Sequence, residues 1–398
     1  MREKARRAAR RRRRGRMGAW TAAAARMVAV AAAAGRTVVS VCRTAAAGGL
    51  LLAALGAAAF GAAPAGIIVP VGVSPAGAPD EARSLPPPPA LKAASAVLYD
   101  LESGSLLLAR NAFEPRPPGS LTKIVTAWVV LKAAHEVGAS PDGDALNQRA
   151  VVSREAAGFP GYSLRFEEGE EVAVRDLLAY MLLHPGGDAA VVLAEHAAGS
   201  TAGFAARMNQ EAAARGAGQS AFKNPHGFDE PGHVSTAYDL ALLTAAALEF
   251  PEFAGVVAAR RAELPWRGRL RDVRNANSFL WRYPGAAGVM SSYTPAGGYS
   301  LAALAERDGV RLLAVILGAP SARERWLDAA SLLDYGFLHY SALREAPDLE
   351  RARYVVAQGD TLSGLARRFG VPVSAIRLYN RLEDPDRLEI GSEIWIPR

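Results

Sequence analysis

The sequence predicts an α+β chain: a large domain with helices packed on an antiparallel sheet, then a small βααβ unit. Three observations carry this. Residues 94–110 alternate as a β-hairpin, and strand-type runs return only after Asn277. The segments between them follow the helical period. The last 45 residues form a separate pattern of strand, two short helices and strand, and the chain has no internal repeat.

In chain order, residues 1–46 form a basic region with 13 Lys and Arg against one acid, Glu3, for a net of +12. The whole chain of 398 residues carries +7, so residues 47–398 carry −5. The basic excess is therefore terminal, and without an aromatic or Arg-striped surface motif no nucleic-acid partner is expected. Thr44 to Pro79 holds no charge, and residues 47–79 read as a secretory signal or an N-terminal membrane anchor. Ala63-Pro64-Ala65 and Ala76-Gly77-Ala78 have cleavage-site spacing, and both fates stay open. Translation from Met27 would leave Arg36 and Arg43 as an ordinary basic leader. Export to the cell envelope, secreted or membrane-anchored, is the expectation. The single cysteine, Cys42, excludes an intrachain disulfide, and Val41 before it argues against a lipoprotein site. The six histidines show no metal-ligand spacing, so neither metal nor cofactor is expected.

Residues 80–90 are a Pro-rich spacer and 91–340 the main domain. Ala94–Asp100 and Ser105–Arg110 predict a hairpin around Glu102-Ser103-Gly104. Helices are expected over Leu121–Ala134, Val172–Leu183, from Asp188 as cap to His196, Ser200–Arg215 and Ser235–Phe250. Strands follow at Gly288–Tyr293, Tyr299–Glu306 and Arg311–Gly318, with a closing helix over Arg323–Phe337. Residues 341–352 read as a polar linker and 353–398 as the appended unit.

The chemistry gathers at Pro117-Pro118-Gly119-Ser120-Leu121-Thr122-Lys123. A Pro/Gly turn delivers Ser120 to a helix start, where unpaired N–H donors favour developing negative charge. Lys123, three residues on, shares its helix face. A desolvated lysine there can lose its proton and act as base to a serine nucleophile. On these residues alone, an N-cap serine beside a solvated lysine is the competing interpretation.

The flanks decide between them. Asn111, Phe113, Pro115, Pro117-Pro118 and Ile124-Val125-Thr126-Ala127 resemble the first active-site box of the low-molecular-weight penicillin-binding proteins, the serine D-Ala-D-Ala carboxypeptidases. Glu168-Gly169-Glu170 with Asp176-Leu177-Leu178, Asn224-Pro225-His226-Gly227 with Gly232-His233 and Ser235-Thr236-Ala237, and Trp281-Arg282-Tyr283-Pro284-Gly285 extend the likeness over about 90–340. It implies a β-lactamase/transpeptidase-like fold and removal of terminal D-Ala from peptidoglycan stem peptides. Ser120 would be the nucleophile, Lys123 the general base, and the backbone N–H groups of Ser120 and Tyr293 the oxyanion hole. β-Lactams are then possible ligands. In that family the stretch around His226 is a structural turn, which opposes reading it as a catalytic imidazole.

Two further boxes depart from the family's pattern. Where Ser-x-Asn is usual, Pro185-Gly186-Gly187 precedes Asp188-Ala189-Ala190, so proton relay and substrate orientation by those side chains are gone. Where Lys-Thr-Gly is usual, Met290-Ser291-Ser292 precedes Tyr293-Thr294. Met290 removes a positive charge, Ser291 keeps a substrate-binding hydroxyl, and Ser292 adds a side chain beside the substrate path. The oxyanion donors, being backbone, are expected to survive these changes. An arginine such as Arg165 or Arg274 is a candidate for the missing charge.

The tail, with Tyr354-Val355-Val356, Gly359-Asp360-Thr361-Leu362-Ser363-Gly364-Leu365-Ala366, Tyr379-Asn380 and Ile394-Trp395-Ile396-Pro397, resembles a LysM module. This implies binding of GlcNAc-containing glycan. Three functions follow: a carboxypeptidase, an impaired relative that binds peptidoglycan through LysM as scaffold or regulator, or a β-lactamase-like hydrolase lacking an identifiable deacylation base.

Overall fold

Apolar alternation folds Ser95–Asp100 (β1) and Ser105–Arg110 (β2) into an antiparallel hairpin. The computed structural model describes residues 85–137, 145–161, 163–184, 186–345, 348–349, 351–380, 382 and 388–397. The basic region, the signal or anchor segment, spacer residues 80–84 and Pro185 lie outside them.

After the hairpin comes Thr122–Val137 (α1), buried on every side as far as Leu131. That explains its nearly continuous apolar sequence, since a helix wrapped by protein needs no polar face. Val172 and Ala173, expected to open a helix, lie instead in the strand Glu171–Ala173 (β4), paired with Arg149–Val151 (β3). Between these two strands lies a single helical turn, Arg154–Ala157 (α2), capped by Ser153. The helix proper is Val174–Leu183 (α3), followed by Asp188–Ala198 (α4) and Thr201–Ala214 (α5). Gly199 ends α4 in a left-handed conformation, and Ser200 caps α5. Ala237–Leu248 (α6), capped by Thr236, bends into Pro251–Ala258 (α7).

A second hairpin, Arg261–Trp266 (β5) with Arg269–Arg274 (β6), was not expected. Its mostly charged sequence buries only Leu264, Trp266 and Val273, too few apolar positions to register as alternation. After Phe279–Arg282 (α8), the predicted final strands form Ala286–Thr294 (β7), Gly298–Arg307 (β8) and Val310–Ala319 (β9). Ala322–Leu338 (α9) closes the domain.

The 341–352 segment is more than a linker. It continues Tyr340–Glu345 (α10) into Asp348–Leu349 (β10), which pairs parallel with β2. The main sheet therefore runs β10-β2-β1-β9-β8-β7, antiparallel apart from that edge. One face packs on α9 and the other on α6 and the helices around α1, so β1 is buried on both sides. The terminal unit is the expected strand, two helices and strand: Arg351–Val355 (β11), Leu362–Phe369 (α11), Val373–Asn380 (α12) and Glu393–Pro397 (β12). It contacts the larger domain: Gln219 Nε2 donates to the Gly370 carbonyl at 2.8 Å, and the Phe113 and Tyr379 rings lie 6.0 Å apart.

Candidate active site

The residue expected to attack sits on a turn braced from several sides. Pro117-Pro118 lead into a 3-10 turn, Gly119–Leu121, which runs directly into α1. Gly119 takes φ +55°, a left-handed conformation that a side chain resists. A Cβ on Gly227 would lie 1.9 Å from the Gly119 carbonyl oxygen, so the 224–227 turn packs directly on the residue before Ser120. That turn is closed by the Gly227 N–H donating to Asn224 Oδ1 at 2.7 Å, and Thr126 Oγ1 donates to the Pro225 carbonyl at 2.7 Å.

Lys123 Nζ donates to Ser120 Oγ at 3.4 Å, and the lysine is 1% exposed. Its burial removes the solvated-lysine interpretation. Desolvation pulls its pKa down to about 8, with the negative charge of Asp188 opposing the shift. Asp188 does not cap α4, whose N-cap position is Gly187. Its buried carboxylate instead accepts from Ser163 Oγ at 2.7 Å, the Leu164 N–H at 2.6 Å and the Arg165 N–H at 3.1 Å, tying the 163–165 loop to the second box.

His226 and His233, near the pair, are neutral fixtures. His226 Nδ1 accepts from the Phe228 N–H at 3.2 Å, and burial pushes its pKa down to about 3. This is a turn histidine satisfied by backbone, not a free imidazole. His233 Nδ1 accepts from the Lys223 N–H at 3.0 Å, so the ring proton sits on Nε2, which donates to Thr122 Oγ1 at 2.9 Å. Burial holds His233 at about 4. The Thr122 bond ties the first residue of α1 to the 221–235 region.

At the second box, Gly186 and Gly187 stand as the sequence indicates. Their lost side chains leave no vacancy. A Cβ on Gly187 would meet the Phe159 ring at 2.3 Å, so the volume of a family asparagine is already filled. Phe159, His226 and Phe228 pack pairwise with ring centroids 4.9 Å apart. Phe159 was not anticipated: a lone aromatic in Gly158-Phe159-Pro160-Gly161 gives no local sign of its destination.

At the third box, β7 alternates. Met290, Ser292 and Thr294 are buried, Ser291 is half-buried and Tyr293 is 56% exposed. Ser292 does not merely crowd the substrate path. Its Oγ accepts from the Ser120 N–H at 2.6 Å. The Ser120 N–H, a backbone donor that the side-chain changes do not remove, is thus already engaged, because Ser292 shares the buried strand face that meets the α1 N-terminus.

Arg274 lies over the Trp281 ring, 4.3 Å from its centroid, and the Arg165 side chain is exposed. Arg325, in the first turn of α9, is a cation that reaches the third-box strand. Its Nη1 donates to the Ser292 carbonyl at 2.8 Å and to the Ser300 carbonyl at 3.3 Å. Burial lowers its pKa, though a guanidinium keeps its charge. Only the three-dimensional fold connects residues 292 and 325. Among the described residues, no group of three His, Cys, Asp or Glu side chains converges as a metal site.

Known proteins resemble this chain in sequence and fold. The sequence profile described as D-alanyl-D-alanine carboxypeptidase matches residues 82–321, and that of the LysM domain matches 354–397. The carboxypeptidase DacD of Salmonella typhimurium is 35% identical over 275 residues, covering 68% of this chain and 70% of that protein. Other curated D-alanyl-D-alanine carboxypeptidases match over about two thirds of their own length. The crystal structure of a D-alanyl-D-alanine carboxypeptidase from Mycobacterium tuberculosis H37Rv superimposes with a TM-score of 0.59 at 31% identity, covering 64% of this chain and 95% of that one. Penicillin-binding protein D2 of Listeria monocytogenes, in its ampicillin-bound form, gives 0.56 at 28% identity, covering 63% and 100%.

Proposed function

Because the chain belongs to the D-alanyl-D-alanine carboxypeptidase family, we propose that it removes terminal D-Ala from peptidoglycan stem peptides, slowly, through an acyl-enzyme on Ser120. One observation carries this: a wholly buried lysine with its pKa drawn down to about 8 contacts the hydroxyl at the start of α1. Roughly a tenth of Lys123 is then neutral at pH 7, enough to serve as base.

Ser120 Oγ gives its proton to neutral Lys123 and attacks the carbonyl of the penultimate D-Ala. As the tetrahedral intermediate collapses, Lys123 returns the proton to the amine of the leaving D-Ala. Water, its proton taken by Lys123, then hydrolyses the ester and frees Ser120. With His226 and His233 held neutral by burial, Lys123 is the base in contact with Ser120 Oγ. Missing second-box groups slow each proton transfer, since one positioned catalytic group is commonly worth about 10² to 10⁴ in rate.

The LysM module supports attachment to peptidoglycan glycan, and the Arg-rich then apolar N-terminal sequence supports export to the envelope. β-Lactams are the matching inhibitors. A second reading, a scaffold or regulator that binds peptidoglycan without turnover, is favoured by Phe159 filling the second box and Met290 standing in the third. Labelling the protein with a fluorescent penicillin separates them. Slow labelling that Ser120→Ala abolishes supports the catalytic reading; an unlabelled protein after prolonged incubation refutes it.

A further inference from the structure

We propose that the Ser292 hydroxyl is a built-in plug of the oxyanion hole, so that a substrate carbonyl must displace it before Ser120 can be acylated. The proposal rests on the acyl-enzyme reading above, because a plug matters only if Ser120 attacks.

The geometry is specific. Ser292 Oγ accepts the Ser120 N–H at 2.6 Å, at least as close as a developing oxyanion would sit to that donor. Ser292 is 5% exposed, so bulk water does not readily replace it. The contact is also close to the turn. A Cβ on Gly119 would lie 2.3 Å from Ser292 Oγ, which places the hydroxyl against the residue preceding the nucleophile. On the other side of Ser292, its carbonyl accepts from Arg325, which holds this part of β7 in place.

A carbonyl entering the site competes with a partner already present at effectively fixed concentration. To admit it, Ser292 must rotate about its Cα–Cβ bond, and its hydroxyl must find another partner. The exchange replaces one hydrogen bond with another at Ser120, so the penalty is that of turning the Ser292 hydroxyl away before the oxyanion can form. Loss of one oxyanion donor costs about 10² to 10³ in rate, which bounds what the plug withholds. The altered third box is then a brake on acylation as well as a lost substrate contact.

Two substitutions remove the acceptor. Ser292→Gly deletes the side chain at the cost of strand rigidity, and Ser292→Ala keeps the Cβ and removes only the oxygen. Each is compared with the parent, as the full chain, for the second-order rate of Ser120 labelling by a fluorescent penicillin. The expected result is at least a tenfold increase in both variants. An unchanged or slower rate in both overturns the proposal. If neither parent nor variants label, the acyl-enzyme reading fails separately, and amide hydrogen exchange at Ser120 decides the plug. Exchange at least tenfold faster in both variants supports it, and unchanged protection overturns it.

Discussion

Phe159 and Gly187 occupy one volume: a Cβ on Gly187 would lie 2.3 Å from two carbons of the Phe159 ring. The backbone of Gly187, at φ −95° and ψ −21°, would accept any residue, so the obstacle is steric alone. Gly187→Ala and Gly187→Asn are therefore expected to destabilise the protein by about 1–3 kcal/mol, as overpacking does. Pairing Gly187→Asn with Phe159→Ala is expected to recover part of that loss. Thermal unfolding of the three variants checks this. A Gly187→Asn protein as stable as its parent would mean that Phe159 yields freely.

Acylation should follow the neutral fraction of Lys123. Its folded pKa, near 8, lies below the ordinary lysine value because burial penalises the ammonium. The labelling rate is expected to rise about tenfold per pH unit from 6 to 7 and to level off above about 8. A stopped time course at each pH measures it. A flat profile over that range would remove Lys123 as base.

Acid should weaken the fold around α1. His226 and His233 have folded pKa values of about 3 and 4, below the ordinary 6.5, so the folded state excludes protons that the unfolded chain binds. Their contribution is full above pH 6.5 and is lost as pH falls toward 4. Asp239, raised to about 6 by burial, works in the opposite direction. The slope of Tm against pH between 6.5 and 4.5 is therefore expected to flatten in a His226→Asn, His233→Asn variant relative to the parent. Parallel slopes would exclude the pair as the source.

Deleting residues 353–398 should abolish retention on insoluble peptidoglycan in a pull-down. It should also lower Tm, because Phe113 loses its ring partner Tyr379. Undiminished retention would place wall binding elsewhere in the chain.

Features set by neighbouring residues were legible in the sequence. The 117–123 run fixes a turn, a helix start and an i, i+3 pair within seven residues, and β9 announces itself as a continuous apolar run. Features set by distant packing were not. Ser292 and Ser120 are 172 positions apart, and nothing in either neighbourhood indicates that a hydroxyl meets an amide. Arg325 reads as one charge in a polar helical turn until the fold lays it against β7. The β5–β6 hairpin was hidden by its charged surface, and β4 by lying directly before a helix.

The central claim, slow turnover on Ser120, is tested most directly by D-alanine release from a peptide ending in D-Ala-D-Ala, with the Ser120→Ala protein as control. The predicted result is release above the control at a turnover well below about 1 s⁻¹, the lower end of ordinary enzyme rates. Release indistinguishable from Ser120→Ala over many hours would contradict the claim.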